Sequence, residues 1–129
     1  IKNIILYAGN VNEFLSINKK NEFFSSVWIF FPDPWPKKKH HKRRLITDLF
    51  LKKIYQYIRS KGEVYIATDS ISYSRSILNS LYEVKNFFRW KNQNELHMDL
   101  KDYYKLETKF YKKASISGRK TLLLVLEKI

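Results

Sequence analysis

Asp33 is the residue of this chain best placed to do chemistry. It stands in the run FPDPWPKKKHHKRRL (Phe31 to Leu45), flanked by Pro32 and Pro34. Proline fixes its own φ and restricts the residue before it, so the Asp33 backbone is stiff. A carboxylate held that way can accept hydrogen bonds from a ligand, or it can simply fill a turn. The segment Lys37 to Arg44 (KKKHHKRR) follows, with six Lys/Arg and no acid. Such a run either pairs with the phosphates of a polyanion or forms a solvated basic face. Adjacent His40 and His41 cannot easily share one ion, and no acid or cysteine lies near them, so no metal site is expected. The chain has no cysteine at all, which excludes disulfides, thiolate zinc sites and a cysteine nucleophile.

The elements that must position Asp33 can be read from apolar periodicity. Asn3 to Tyr7 (NIILY) reads as a short buried strand ending at Gly9-Asn10, and Val11 to Ile17 as a brief helix. Phe24 to Phe31 reads as a strand covered on both faces, closed by Pro32, Pro34 and Pro36. Ile46, Leu49, Phe50, Ile54, Tyr57 and Ile58 recur at helical spacing, and Lys61-Gly62 is the expected stop of that helix. Glu63 to Thr68 is a further buried strand ending at Asp69. Ser72 is the expected cap of a helix carrying Tyr73, Ile77, Leu78 and Leu81. Val84 to Trp90 and Thr121 to Glu127 read as strands, and Lys91 to Lys105 as a loop. Alternation of this kind predicts a parallel α/β sheet, whose ligands sit at the carboxyl ends of the strands. Gly9-Asn10, Pro32-Asp33 and Thr68-Asp69 all fall at such ends.

The 129 residues suit one domain, and 44% apolar content is enough for a core. No apolar run approaches the ~20 residues that cross a bilayer, and no signal-peptide pattern is visible. A cytoplasmic protein without membrane contact is therefore expected, as a monomer or weak oligomer. The net charge of +13 favours a polyanionic partner. The chain opens on Ile1 and its sole methionine is Met98, so excision from a longer parent or an unusual start is expected.

FPDPWPKKKHHKRRL resembles the signature of bacterial tRNA (guanine-N7) methyltransferases, class I enzymes that move a methyl group from S-adenosylmethionine to guanine 46 of the tRNA variable loop. ATDSISY (Ala67 to Tyr73) is similar to a second segment of that family, and Thr108-Lys109-Phe110 to a third, late one. The resemblance spans nearly the whole chain in order and spacing. It implies an α/β Rossmann-like class I methyltransferase fold and one partial domain over residues 1–129, with S-adenosylmethionine as cofactor and tRNA as partner. It also implies roles. Asp33 becomes the catalytic aspartate and a cofactor contact, and Asn10 occupies the position of a second cofactor-binding residue. Lys37, Asp69, Thr108, Lys109, Phe110 and Tyr111 become substrate-binding. Lys39, His40, His41, Lys42, Arg43 and Arg44 become RNA contacts.

The chemistry this implies is undemanding in protons. Guanine N7 carries a lone pair and no proton, so its attack on a sulfonium methyl needs alignment rather than a general base. A carboxylate accepting from the guanine N1–H and N2–H edge would orient the base and balance the positive charge that develops. Trp35 has two uses, stacking on a displaced base or packing the loop on the sheet, and packing is the commoner. Phe87-Phe88-Arg89-Trp90 is either a stacking cluster or core. Tyr103-Tyr104 stays open in the same way, and His97 stands alone.

Three departures from the family pattern shape the expectation. The only glycines are Gly9, Gly62 and Gly118, so no Gly-rich cofactor turn exists. Asn10 stands where the family has an aspartate, and Tyr111 where it has a glutamate. The family sheet has strand order 3-2-1-4-5-7-6, and this chain is expected to begin at strand 3, lacking strands 1 and 2. Asn3–Tyr7 would then have no neighbour, and Phe24–Phe31 would become an apolar edge. The chain alone is accordingly expected to bind S-adenosylmethionine weakly or not at all. The rival expectation is a degenerate RNA-binding remnant without catalysis.

Overall fold

A computed structural model describes residues 2–18, 22–93 and 121–129. In chain order these form α1 (Val11–Ile17), β1 (Phe24–Phe30), a 3₁₀ helix (Lys38–Arg43), α2 (Asp48–Tyr55), β2 (Ile58–Thr68), α3 (Ile71–Glu83), β3 (Phe88–Trp90) and β4 (Leu122–Lys128). The strands make one sheet in the order β1-β2-β4-β3. β1 and β2 are parallel, whereas β4 runs antiparallel to both of its neighbours. The wholly parallel sheet expected from the alternation is thus corrected to a mixed one. A helix crossing over between strands dictates parallel pairing, and α2 does so between β1 and β2.

Residues alternate between the two faces of each strand. One face of the sheet packs Val64, Ile66, Leu124 and Leu126 against Phe50 and Ile54 of α2 and Tyr73, Ile77 and Leu81 of α3. The other face carries a smaller cluster of Ala67, Leu123 and Val125, with Phe30 and Tyr65 packed on it. β2 and β4 are covered on both sides, which is why EVYIAT and TLLLVLE read as unbroken apolar runs. Phe88 is buried and Trp90 packs on the same core, so the core use of that aromatic cluster holds. No helix among the described residues is long and apolar enough to cross a membrane.

Several boundaries differ from the sequence reading. Asn3 to Tyr7 forms no strand, and Ile5 and Leu6 are 95% and 91% exposed. A strand needs a partner for its N–H and C=O groups, and β1 pairs only with β2 among the described strands. The helix after the basic run stops at Tyr55, not at Lys61-Gly62. Tyr57 and Ile58 are buried as expected, but Ile58 already opens β2, and Leu49 is 74% exposed. Ser70, not Ser72, caps α3, its hydroxyl accepting from Tyr73 N at 3.1 Å. The predicted Val84–Trp90 strand shortens to Phe88–Trp90.

Gly62 has a different use from the one its identity suggests. Phe24 pairs with Ile58 and Ser26 with Glu63, so β2 carries extra residues opposite a short stretch of β1. That bulge puts Lys61 at φ 63°, and it leaves no room beside Gly62. A Cβ there would meet the Ile58 side chain, with Arg59 O at 2.9 Å and Ser25 O at 3.1 Å. Gly62→Ala should therefore lower the unfolding free energy by about 1–3 kcal/mol, the usual cost of overpacking. A urea titration compared with wild type measures it, and an unchanged midpoint would show that the bulge relaxes freely.

Candidate active site

The site begins where β1 ends. Phe31 N still donates to Ala67 O of β2 at 2.8 Å, so the sheet holds the chain one residue beyond the strand. Phe31 and Trp35 both adopt left-handed backbone, φ 50° and 43°, and they bracket Pro32-Asp33-Pro34. Left-handed conformations cost a non-glycine residue of order 1–3 kcal/mol and persist only where surrounding contacts enforce them. The enforcing contacts come from the basic run. Arg44 Nε donates to Pro34 O at 2.8 Å, and its terminal nitrogen donates to Ser72 Oγ at 2.8 Å. The guanidinium lies 5.0 Å from the centre of the Tyr73 ring, and Arg44 is only 6% exposed. Tyr73 Oη in turn accepts from Ile46 N at 2.9 Å. Arg43 lies 5.0 Å over the Trp35 ring, whose edge also meets His40 at 5.8 Å. Trp35 thus packs the loop through cation–π contact.

A cleft of about 730 Å³ opens beside this loop. Its lining brings Asn10 together with Asp33 and Trp35, and sets them among Lys42, Arg43, Arg44 and Lys53. Asp33 is the single carboxylate on that lining against four cations, so the cleft suits an anion that also offers hydrogen-bond donors. Asn10 caps α1, its Oδ1 accepting from Asn12 N at 2.7 Å. Thr47 caps α2 on the far wall, and Lys53 Nζ reaches Asn12 O at 3.4 Å. Among the described residues no group of three or more His, Cys, Asp or Glu is arranged to hold a metal ion.

The chain matches, over residues 1–124, the model of a family described as "Putative methyltransferase". It is 44% identical over 101 residues to a tRNA (guanine-N(7)-)-methyltransferase of Buchnera aphidicola from Schizaphis graminum, covering 78% of this chain and 41% of that protein. A protein of the same name from the Buchnera of Baizongia pistaciae is 38% identical over 129 residues, all of this chain and 52% of that one. One from Legionella pneumophila is 38% identical over 93 residues, 72% of this chain and 41% of its own. The chain belongs to the tRNA (guanine-N7) methyltransferase family. It spans about half the length of the curated relatives it matches.

The residues that the family resemblance singles out divide into three groups. Asn10, Asp33, Lys42, Arg43 and Arg44 line one cleft. Lys37 and Lys39 are exposed on the 3₁₀ segment next to it, while His40 and His41 are half-buried, and Asp69 stands at the end of β2. Thr108, Lys109, Phe110 and Tyr111, like Tyr103, Tyr104 and His97, lie outside the described residues. Sequence reading missed Asn12, Thr47 and Lys53. The polar face of α2 was legible, but nothing in the sequence says that this face looks across a cleft at α1.

Tyr73 is the buried hinge of the arrangement. Burial pushes its phenol above the ordinary value near 10, and the Asp33 charge adds to the rise, while the Ile46 N–H and Arg44 oppose it. A group with a raised folded pKa contributes stability fully below its unfolded pKa and loses it as pH rises through the folded value. Tyr73→Phe leaves Ile46 N without its acceptor and should cost about 1–3 kcal/mol near neutral pH. The gap between variant and wild type should stay constant up to about pH 9 and narrow as the pH rises past about 10, the unfolded value of the phenol. Urea midpoints of both proteins across that range test it, and a constant gap would contradict a neutral, buried phenol.

Proposed function

We propose that this chain carries the guanine-binding and RNA-binding part of a tRNA (guanine-N7) methyltransferase, which places a methyl group from S-adenosylmethionine on N7 of guanine 46. The observation that carries the reading is the meeting of Asn10 with Asp33, Lys42 and Arg43 in one cleft, since Asn10 and the run Phe31 to Leu45 are separate parts of the chain to which the family resemblance gives roles. The strand order β1-β2-β4-β3 supports it too. It agrees with the order that strands 4-5-7-6 of a Rossmann-like class I sheet would have.

Asp33 accepts hydrogen bonds from the N1–H and N2–H edge of the guanine. Its negative charge then stabilises the positive charge that grows on the purine as N7 is alkylated. The left-handed residues on either side of Pro32-Asp33-Pro34 keep the carboxylate fixed before the base arrives, so little reorganisation is needed. Lys39, Lys42 and Arg43 are exposed and face the phosphates that flank the target nucleotide. Such contacts position the RNA without reading its sequence.

The residues present do not by themselves make a cofactor site. The cleft offers one carboxylate, and Asn10 Oδ1 is engaged in capping α1. No Gly-x-Gly turn exists in the chain, and a Cβ at Gly9 would stand 2.7 Å from the Tyr7 ring. S-adenosylmethionine therefore needs residues beyond those described, and no step is assigned through it.

In a full-length protein containing this segment, Asp33→Asn should slow single-turnover methylation of a tRNA about a hundredfold, the usual cost of one lost charge-assisted contact. Affinity for the tRNA, measured by filter binding at fixed salt, should move by less than a factor of a few. If rate and affinity fall together, Asp33 holds the RNA or the fold, and the catalytic role is wrong. Replacing Lys42 and Arg43 by alanine should flatten the slope of log K against log salt by roughly 1.4 to 1.8, at 0.7 to 0.9 per phosphate. An unchanged slope would make the run a solvated surface only.

A further inference from the structure

The run Lys37 to Arg44 looks uniform as a sequence, yet the fold sorts it. A 3₁₀ helix has three residues per turn, so positions three apart lie on one stripe. Over Lys38–Arg43 and its cap Arg44 this gives three stripes. Lys39 and Lys42 are exposed, as is Lys38, which opens the stripe of His41 and Arg44 at its outer end. His40 and Arg43 face Trp35, in edge and cation–π contact. His41 and Arg44 turn inward, where His41 Nε2 is buried without a hydrogen-bond partner among the described residues and Arg44 is buried on Tyr73.

We propose that Arg44 is a positioning residue for Asp33 rather than an RNA contact. Its Nε holds the carbonyl of Pro34, the residue directly after Asp33, and its terminal nitrogen holds Ser72 in the first turn of α3. One side chain therefore clips the loop at the end of β1 to the helix that follows β2. Two donors in a rigid fork can satisfy two acceptors at fixed separation, which a lysine ammonium cannot reproduce. Removing the clip frees the Pro34 peptide and with it the aim of the Asp33 carboxylate. A misplacement of about 1 Å at such a group can cost a hundredfold in rate. RNA loses little directly, because Arg44 is only 6% exposed at the cleft edge and its guanidinium is engaged by Pro34, Ser72 and Tyr73.

This rests on the reading of Asp33 given above, and the test separates the two. In the full-length protein, Arg44→Lys keeps the charge and Arg44→Met removes it. Both should slow single-turnover methylation at saturating tRNA by about ten- to a hundredfold. Neither should change the salt slope of tRNA binding, whereas Lys42→Ala should lower it by about 0.7 to 0.9. Should Arg44→Lys retain the wild-type rate while Arg44→Met lowers the slope by about 0.9, Arg44 is a phosphate contact and the proposal fails. Ser72→Ala guards against unfolding of the Arg44 variants, since it cuts the other end of the clip without touching a cation. It should slow the reaction at an unchanged slope, and a wild-type rate overturns the proposal. Asp33→Asn run alongside reports on the parent reading: if it alone leaves the rate intact, the role of Asp33 is what fails.

Discussion

A buried guanidinium must be satisfied on every side, and the site around Asp33 is organised by that demand at Arg44. Leaving such a cation unpaired would cost several kcal/mol, so the Pro34 carbonyl, the Ser72 hydroxyl and the Tyr73 ring are all drawn to it. Those three partners belong to the loop after β1 and the first turn of α3. Through the Tyr73 hydroxyl, which takes Ile46 N, the same knot also fixes the chain just before α2. Three prolines deprive this stretch of regular backbone bonds, and two left-handed residues oppose the fold locally. A single cation shared among three segments is what lets such a loop keep one shape.

The knot also shapes the electrostatics. Because Arg44 and His41 point inward, the outer surface of the turn presents Lys39 and Lys42, with Arg43 lying on Trp35. The cleft beyond has one carboxylate set among cations. A polyanion is attracted to the rim, and only a group with donors is attracted to the centre. That division of labour suits a nucleotide whose phosphates and base edge must be held by different residues.

What was legible in the sequence follows the range of the interactions involved. β1, the second half of β2, α3 and β4 rest on apolar periodicity, a local property, and each appears where the pattern places it. Asp33 and the basic run stand out in the sequence because proline and lysine announce themselves. Gly62 was misread because a glycine that ends a helix and one that relieves a bulge look identical in one dimension. Asn3–Tyr7 has the composition of a strand and lacks only a partner, which no local pattern can report. Arg44 was grouped with its neighbours because charge is counted along the chain, whereas its partner Ser72 stands 28 residues away.

The parallel pairing of β1 with β2 explains why the site lies where it does. Parallel strands deliver their carboxyl ends to the same side, so Pro32-Asp33 and Thr68-Asp69 leave the sheet next to each other. An antiparallel pair would send them to opposite ends, and one Arg44 could not span from Pro34 to Ser72. The register must be regular at that end for the span to be right. Trp28 to Phe30 do pair in step with Tyr65 to Ala67, and Phe31 N continues the ladder. All the irregularity is collected at the other end of the pair, in the bulge around Gly62 that separates Phe24–Ile58 from Ser26–Glu63. A glycine remote from the chemistry thus absorbs the mismatch between the two strands, and the end that carries Asp33 stays in register.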